Sequence, residues 1–536
     1  MTLILLTAAI VIIACVLCNR ISSKLGVPTL LAFILLGMFF GSDGLVKIPF
    51  SNYLLAEDIC SLALIFIMFY GGFGTKWSEA HPVAVKAVLL SSLGTIGTAG
   101  LVGLFGWLVL RLPLLESFLL GSVISSTDAA SVFSILRSKR LNLRYNTASL
   151  LEVESGSNDP FSYMLTVIVL SLMSGGASPR AFAIQILAQL FWGGAFGVVA
   201  ALVARTFLKR FRFTSEGFDA IFLVAVALIS YAAPTLLGGN GYLSVYLTGI
   251  LLGNHPIQNK QALVNFFDGA TGLMQMLLFF LLGLLSFPSQ LPSVIPTALA
   301  TALFLTFVAR PLAVGLILGS FRSSFRQIAL VSWSGLRGAA SIVFSILAIT
   351  SPAVMDFDIY HIVFFIVLFS ILIQGTLLPL VARKLDMTDT DADVMKTFTD
   401  YTDEVPVEFL RCTVAPGHPW SGKAIRELAM PPECLLVLLI RGSEKLVPRG
   451  DTVLEPGDRL ILSGRAGGET EGVHLYEKTI KRRDPWLYRP LADLNTEEKL
   501  IITIRRDGEV IIPSGDTVLA VGDVLLINDM DGDPLT

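Results

Sequence analysis

Residues 151–161 read LEVESGSNDPF. Glu154 and Asn158 stand four apart, and so do Ser155 and Asp159, so on a helix each pair shares a face. That face offers a carboxylate, a hydroxyl, an amide and a second carboxylate, oxygen groups that suit a proton or a hard monovalent cation. Gly156 removes bulk, and Pro160 lacks the N–H that the Gly156 carbonyl would use in a regular helix. Two more polar clusters interrupt apolar runs. SSTDAAS places Ser125, Ser126, Thr127 and Asp128 in a row, and SGLRGAAS flanks Arg337 with Gly335 and Gly338. The first run competes with the helix backbone through its own side chains and predicts an unwound stretch. The paired glycines make the second a weak point.

All three clusters lie in segments that read as membrane-crossing, where an ionisable group by default marks a pathway or relay. At 1.5 Å rise per residue, Asp159 lies about 18 Å in from one face, Arg337 about 17 Å from the same face and Asp128 about 20 Å from the other. All three therefore sit near the middle of a core about 30 Å thick. Arg310 lies nearer one side. Arg337 and Glu154 are read as a buried pair that cancels charge and joins helices. Two arginines neutralise at most two of the three acids Asp128, Glu154 and Asp159. One carboxylate, assigned to Asp159, is left to take a proton or a cation.

The elements that must hold these groups follow from composition. The chain has 536 residues, 54% hydrophobic and 15% charged, with net charge −3 and mean hydropathy +0.72. Soluble chains carry about 25% charged residues, so this is a membrane protein with no sign of a nucleic-acid partner. About thirteen segments meet the length and apolarity of a spanning helix. The fifth (114–136), sixth (146–174) and twelfth (326–350) carry the clusters above. Seventeen Lys and Arg fall in one set of alternate loops and three in the other. The positive-inside rule then puts the N-terminus outside and the C-terminus in the cytoplasm. Cys15 and Cys18 form a CxxC inside the first apolar run, where they read as small helix residues, and the five histidines lack metal-ligand spacing.

The membrane region is read as 1–384, followed by an acidic linker, 385–404. From about 405 the sequence becomes a small soluble α+β region, with strands at EFLRCTV and LLVLLI and a short helix at GKAIREL. GDTVLEPGDRLIL at 450–462 recurs as GDTVLAVGDVLLI at 515–527, so two related modules are expected, 405–465 and 466–536.

ESGSNDP, STDAAS and GLRGA together resemble the cation/proton antiporter superfamily in its NhaP-type branch, over essentially the whole chain. The first C-terminal module resembles an RCK (TrkA-C) domain, and the second is similar to the CorC/HlyC transporter-associated domain. The resemblance implies a polytopic helical fold with inverted repeats and two crossing broken helices. It implies a homodimer in the bacterial inner membrane, and electroneutral export of K+ for H+ that serves cell volume and pH homeostasis. It further implies that Asp159 is the carrier carboxylate, that Ser155, Asn158, Thr127 and Asp128 contact the cation, and that Glu154 bridges to Arg337. No cofactor is required; the TrkA-C module is a candidate site for a regulatory nucleotide. A Na+/H+ exchanger is the close alternative. An RCK-gated channel would need a TVGYG-like filter, and an enzyme a motif such as GxSxG or HExxH; the sequence has none of these.

Overall fold

The computed structural model describes residues 2–25, 29–138, 141–175, 179–211, 217–255, 257, 260–389, 407–428, 430, 434–442, 444–465, 475–481, 484–494, 499–506, 509–511 and 513–529. The chain divides into two units, Met1–Asp403 and Glu404–Thr536.

The first unit is helical. In chain order it contains α1 (Thr2–Leu25), α2 (Thr29–Phe40), α3 (Tyr53–Gly74), α4 (Trp77–Ala80), α5 (Ala84–Leu89), α6 (Thr95–Leu108), α7 (Leu114–Val123), α8 (Ala129–Ser138), α9 (Thr147–Met173) and α10 (Pro179–Arg210). Next come α11 (Phe218–Leu236), α12 (Gly241–Gly253), α13 (Lys260–Leu285), α14 (Leu291–Phe304), α15 (Arg310–Ser320), α16 (Phe325–Trp333), α17 (Ala339–Thr350), α18 (Ile359–Phe369) and α19 (Thr376–Lys384). Each apolar segment read from the sequence coincides with one of these helices or with consecutive ones. Among the described residues, seven stretches are long and apolar enough to cross a membrane by length and composition.

Three segments carry a π-helical turn: Leu90–Gly94 joins α5 to α6, Leu305–Ala309 joins α14 to α15, and Ser370–Gly375 joins α18 to α19. Each such turn shifts the register of the helix after it and turns different side chains inward. The fifth segment breaks between α7 and α8, and the twelfth between α16 and α17, both where the polar runs predict it. The element order then repeats. A π-bulged helix, a broken helix and a continuous segment (α5–α6, α7/α8, α9) recur as α14–α15, α16/α17 and α18–α19.

The two sets run in opposite directions. At one end of the bundle Glu116, at the start of α7, accepts from the N–H of Asp356, just after α17, at 3.2 and 3.3 Å. At the other end Arg144, after α8, and Arg326, at the start of α16, share Asp386 at 3.2 and 3.0 Å. Leu385–Asp389, read as the start of the linker, is tied to this end. There β2 (Thr388–Asp389) pairs antiparallel with β1 (Asn142–Leu143), and the Met387 carbonyl accepts from Arg144 N–H at 2.9 Å. The rest of that linker lies outside the described residues.

The second unit holds two four-stranded antiparallel sheets of one design. β3 (Val407–Thr413), β4 (Leu435–Arg441), β5 (Glu444–Leu446) and β6 (Arg459–Arg465) order as β3-β6-β4-β5. β7 (Leu475–Thr479), β8 (Lys499–Arg506), β9 (Glu509–Ile511) and β10 (Val524–Asp529) order as β7-β10-β8-β9. The repeated GDTVL segments thus end in equivalent central strands. GKAIREL forms only a 3-10 turn at Ile425–Glu427, not the expected helix. Backbone bonds from Ile425 N–H to Thr452 O (3.0 Å) and Arg426 N–H to Gly450 O (2.9 Å) take its donors, and so short a helix has little to offset its nucleation cost.

Both modules are stapled by the same ion pair. Arg441 Nε and Nη2 donate to the two oxygens of Asp458, each at 2.8 Å, and Nη2 also donates to Val453 O. Arg506 repeats this with Asp523, at 2.8 and 2.7 Å, and with Val518 O. The arginine hydrogen bonds hold both carboxyls below the usual range, against the opposing effect of burial. Because the folded value lies below the unfolded one, the stabilisation is complete above about pH 4 and is lost as pH falls through the folded value. Asp523→Asn leaves Arg506, which is partly exposed, without its bidentate partner, and we expect a loss of about 1–2 kcal/mol in the second module. Acid unfolding of this region, followed by limited proteolysis of the full chain, should also lose part of its pH dependence.

Candidate functional site

The site is built on two gaps in helices. At Ile124–Asp128 and at Ser334–Gly338 the backbone is unwound, and the two stretches cross. Carbonyls there have no helical donor, and Ser125, Ser126, Thr127, Ser334 and Arg337 are buried, so partners must come from protein. Arg337 supplies them: its Nη1 donates to Ser125 O at 2.8 Å and to Ser126 O at 2.6 Å. In return the Asp128 N–H donates to Leu336 O at 2.8 Å. The Arg337 N–H donates to the Ser370 hydroxyl at 3.0 Å, and that hydroxyl donates to Gln374 Oε1 at 2.6 Å. Gly338 is required because a Cβ there would run into the Asp128 carboxylate.

α9 passes this crossing without a break, Pro160 included. Asn158 is fully buried and clasps Thr127 twice: its amide N–H donates to the Thr127 hydroxyl at 2.5 Å and its carbonyl accepts from the Thr127 N–H at 3.3 Å. The Ser155 hydroxyl donates to Thr127 O at 2.5 Å. Asp159, half-buried, accepts from the Ser126 hydroxyl. Asp128 accepts from the Ser131 hydroxyl. Thus Asp159, Ser155, Asn158, Thr127 and Asp128, chosen from separate sequence motifs, lie together. Among the described residues Asp159 has no ion-pair partner. Gly156 lets α12 approach: a Cβ there would lie 2.6 Å from the Tyr246 ring.

The structure corrects one pairing. Glu154 meets Arg310 at 2.6 Å, with side chains only 1% and 3% exposed. It does not bond Arg337, which is taken up by carbonyls. The Glu154–Arg310 contact is ionic, without a well-aimed N–H. Two features bring Arg310 here. It directly follows the π turn Leu305–Ala309, which re-aims it, and Gly335 leaves room, since a Cβ there would lie 2.8 Å from Arg310 Nε. Sequence reasoning also passed over Ser126 as a site residue, and missed Ser370 and Gln374 altogether. The i,i+4 polar pair in SILIQG, inside an apolar run, was the available signal for the last two.

With this geometry in place the comparisons are decisive. The family described as sodium/hydrogen exchanger, transmembrane, matches residues 6–384. This chain belongs to that family. The TrkA-C domain family matches 409–469 and again 475–527, so the second match falls on the module whose sequence resembles CorC/HlyC. The chain is similar to a K(+)/H(+) antiporter NhaP2 of Shewanella baltica, 32% identical over 86% of this chain and 80% of the relative. It is similar to a K(+)/H(+) antiporter NhaP of Alkalimonas amylolytica, 33% identical over 86% and 81%. A Na(+)/H(+) antiporter NhaH of Halobacillus aidingensis is 26% identical over 72% and 97%. The solved structure of the sodium proton antiporter MjNhaP1 from Methanocaldococcus jannaschii shares the fold, with TM-score 0.61 and 25% identity over 71% of this chain and 98% of that one.

The corrected pairing is directly measurable. Arg310→Gln should cost about 3–5 kcal/mol by leaving Glu154 buried and unpaired. Arg310→Gln with Glu154→Gln should recover most of it. A thermal-unfolding double-mutant cycle should give strong coupling for 154–310 and much weaker coupling for 154–337.

Proposed function

We propose that this antiporter exports K+ in exchange for external H+, with Asp159 as the carrier. The observation that carries this reading is a charge count around the crossing. Asp128, Glu154 and Asp159 gather there with Arg310 and Arg337, three acids to two arginines, so the empty site holds one negative charge in excess. Glu154 is committed to Arg310, and Asp159 has a hydroxyl as its described partner. One carboxylate holds a proton or a cation, not both. Facing inward it loses H+ and takes K+; facing outward it releases K+ and takes H+. Either passenger neutralises the site, which then crosses the apolar barrier, while the empty charged site crosses poorly. Ser155, Thr127, Asn158 and Asp128 are positioned to supply further oxygens. The hydroxyl of Ser126 holds the carboxylate and must yield to an entering cation.

Potassium rather than sodium rests on the relatives named K(+)/H(+) antiporters, which match over most of both chains. The relative named a Na(+)/H(+) antiporter matches at lower identity and over less of this chain, which keeps Na+ exchange as the alternative. We further infer an inner-membrane homodimer with its C-terminus in the cytoplasm, in line with the loop charges. The two TrkA-C modules regulate exchange rather than perform it, and a nucleotide is the candidate ligand.

In proteoliposomes a K+ gradient should drive proton flux, and Asp159→Asn should abolish it; flux persisting in that variant would refute the carrier role. One-for-one exchange moves no net charge. An electrogenic carrier of one charge would shift its equilibrium about 50-fold per 100 mV, since that field acts with about 2.3 kcal/mol per charge. We expect no shift. Flux with Na+ in place of K+ decides the cation, and removal of residues 405–536 should change the rate without changing the ion.

A further inference from the structure

His361 lies at the end of the bundle opposite Asp386, near the start of α18, and is only 3% exposed. Its imidazole is used on both nitrogens. Nε2 accepts a hydrogen bond from the backbone N–H of Phe287, just after α13, at 3.1 Å. A backbone N–H can only donate, so Nε2 carries no proton here. Nδ1 must therefore be the protonated nitrogen, and it donates to the Asp358 carboxylate. Asp358 also caps α18 by accepting from the His361 N–H at 3.1 Å. The ring is thus held in one neutral tautomer by two opposed partners.

Several charged and polar groups surround it. Asp358 lies against Nδ1. Asp43, on the connection between α2 and α3, also acts on His361 electrostatically. Hydrogen bonds from the Ser289 hydroxyl and N–H hold its carboxyl below the usual range. Lys47 stands exposed on the same connection. Tyr53 of α3 packs edge-on against Tyr360, whose hydroxyl donates to Leu282 O at 2.7 Å. Cys60 of α3 faces Tyr360, and Glu57 faces Tyr163 and Tyr231. α14 and α17, packed alongside α18, carry no ionisable side chain. α7 contributes Glu116, bonded to the N–H of Asp356. The nearest charged partners are therefore acids. A protonated Nε2 would set two donors against each other at the Phe287 bond.

That bond joins the turn after α13 to the start of α18. α13 packs mainly on α2 and α3, and α18 mainly on α14 and α17, with α17 also packed on α3. We propose that His361 is a proton-binding latch: neutral, it ties the turn after α13 to the start of α18, and uptake of one proton at Nε2 from the aqueous phase at this end releases the tie. The turn after α13 is then loosened from the start of α18 at the end where the exchange reading loads protons, while the Tyr360–Leu282 bond and the packing of α17 on α3 remain. That consequence rests on the exchange reading, whereas the latch itself does not.

The test is independent of transport. Hydrogen–deuterium exchange of the peptide containing Phe287 is monitored in the full chain in nanodiscs from pH 8 to pH 5, after correction for intrinsic rates. Wild type should lose protection about tenfold on acidification. His361→Gln, which keeps a neutral acceptor and donor, should stay protected throughout. Asp358→Asn, which keeps the cap but removes the charge, should move the midpoint about one pH unit lower. Unchanged protection in wild type across this range would overturn the proposal, and so would the same acid-induced loss in His361→Gln. Because the wild-type curve and Asp358→Asn each give an answer, misfolding of the glutamine variant would not leave the proposal untested.

Discussion

The membrane unit depends on how two lengths of bare backbone are satisfied where water is scarce. An unpaired carbonyl in hydrocarbon costs several kcal/mol, and the gaps at Ile124–Asp128 and Ser334–Gly338 expose several. The Arg337 guanidinium closes on Ser125 and Ser126, and the Asp128 N–H on Leu336, so each gap supplies what the other lacks. This solution has consequences beyond the crossing. An arginine committed to carbonyls is not available to Glu154, whose charge is instead met by Arg310. With both arginines engaged, Asp159 keeps a hydroxyl as its described partner, which is why the carrier role is proposed for it.

The contrast between closed and open charges runs through the chain. In the C-terminal modules Arg441–Asp458 and Arg506–Asp523 are closed: each carboxylate takes a bidentate arginine and a backbone N–H, from Glu455 or Ala520. Glu154–Arg310 is closed by burial. Such pairs hold shape and add little else. Asp159 is built differently, half-buried, on a continuous helix, facing the polar backbone of a broken one. Rigid support on α9 with adaptable backbone opposite suits the proposed alternation of a proton and a cation at this carboxylate.

Much of this was legible in the sequence because the costs that shape it are local. Polar runs in apolar segments announced both helix breaks, since Ser, Thr and Asp compete with the helix and glycines weaken it. Carboxylates in hydrocarbon marked the candidate site, and depth counting placed Asp128, Asp159 and Arg337 at one level, in agreement with their meeting at the crossing. The GDTVL repeat announced two sheets of one design. The partner of Glu154 was not legible. Depth counting assumes a regular rise, and the π turn ahead of Arg310 breaks that assumption with no signature in LTFVA. Likewise Ser370 and Gln374 act through the π turn that contains them. GKAIREL has the composition of a helix, but its donors are claimed by Thr452 and Gly450 across the module. Leu385–Asp389 reads as solvated linker because a two-residue strand leaves no periodicity to detect.

The central claim is that one carboxylate alternates between a proton and a cation. Calorimetric titration of the purified protein with K+, in buffers of different ionisation enthalpy, tests it by counting protons released per cation bound. The account predicts release approaching one proton per protomer on the acid side of the Asp159 titration, falling to none at alkaline pH. Saturable K+ binding that releases no proton at any pH would contradict it.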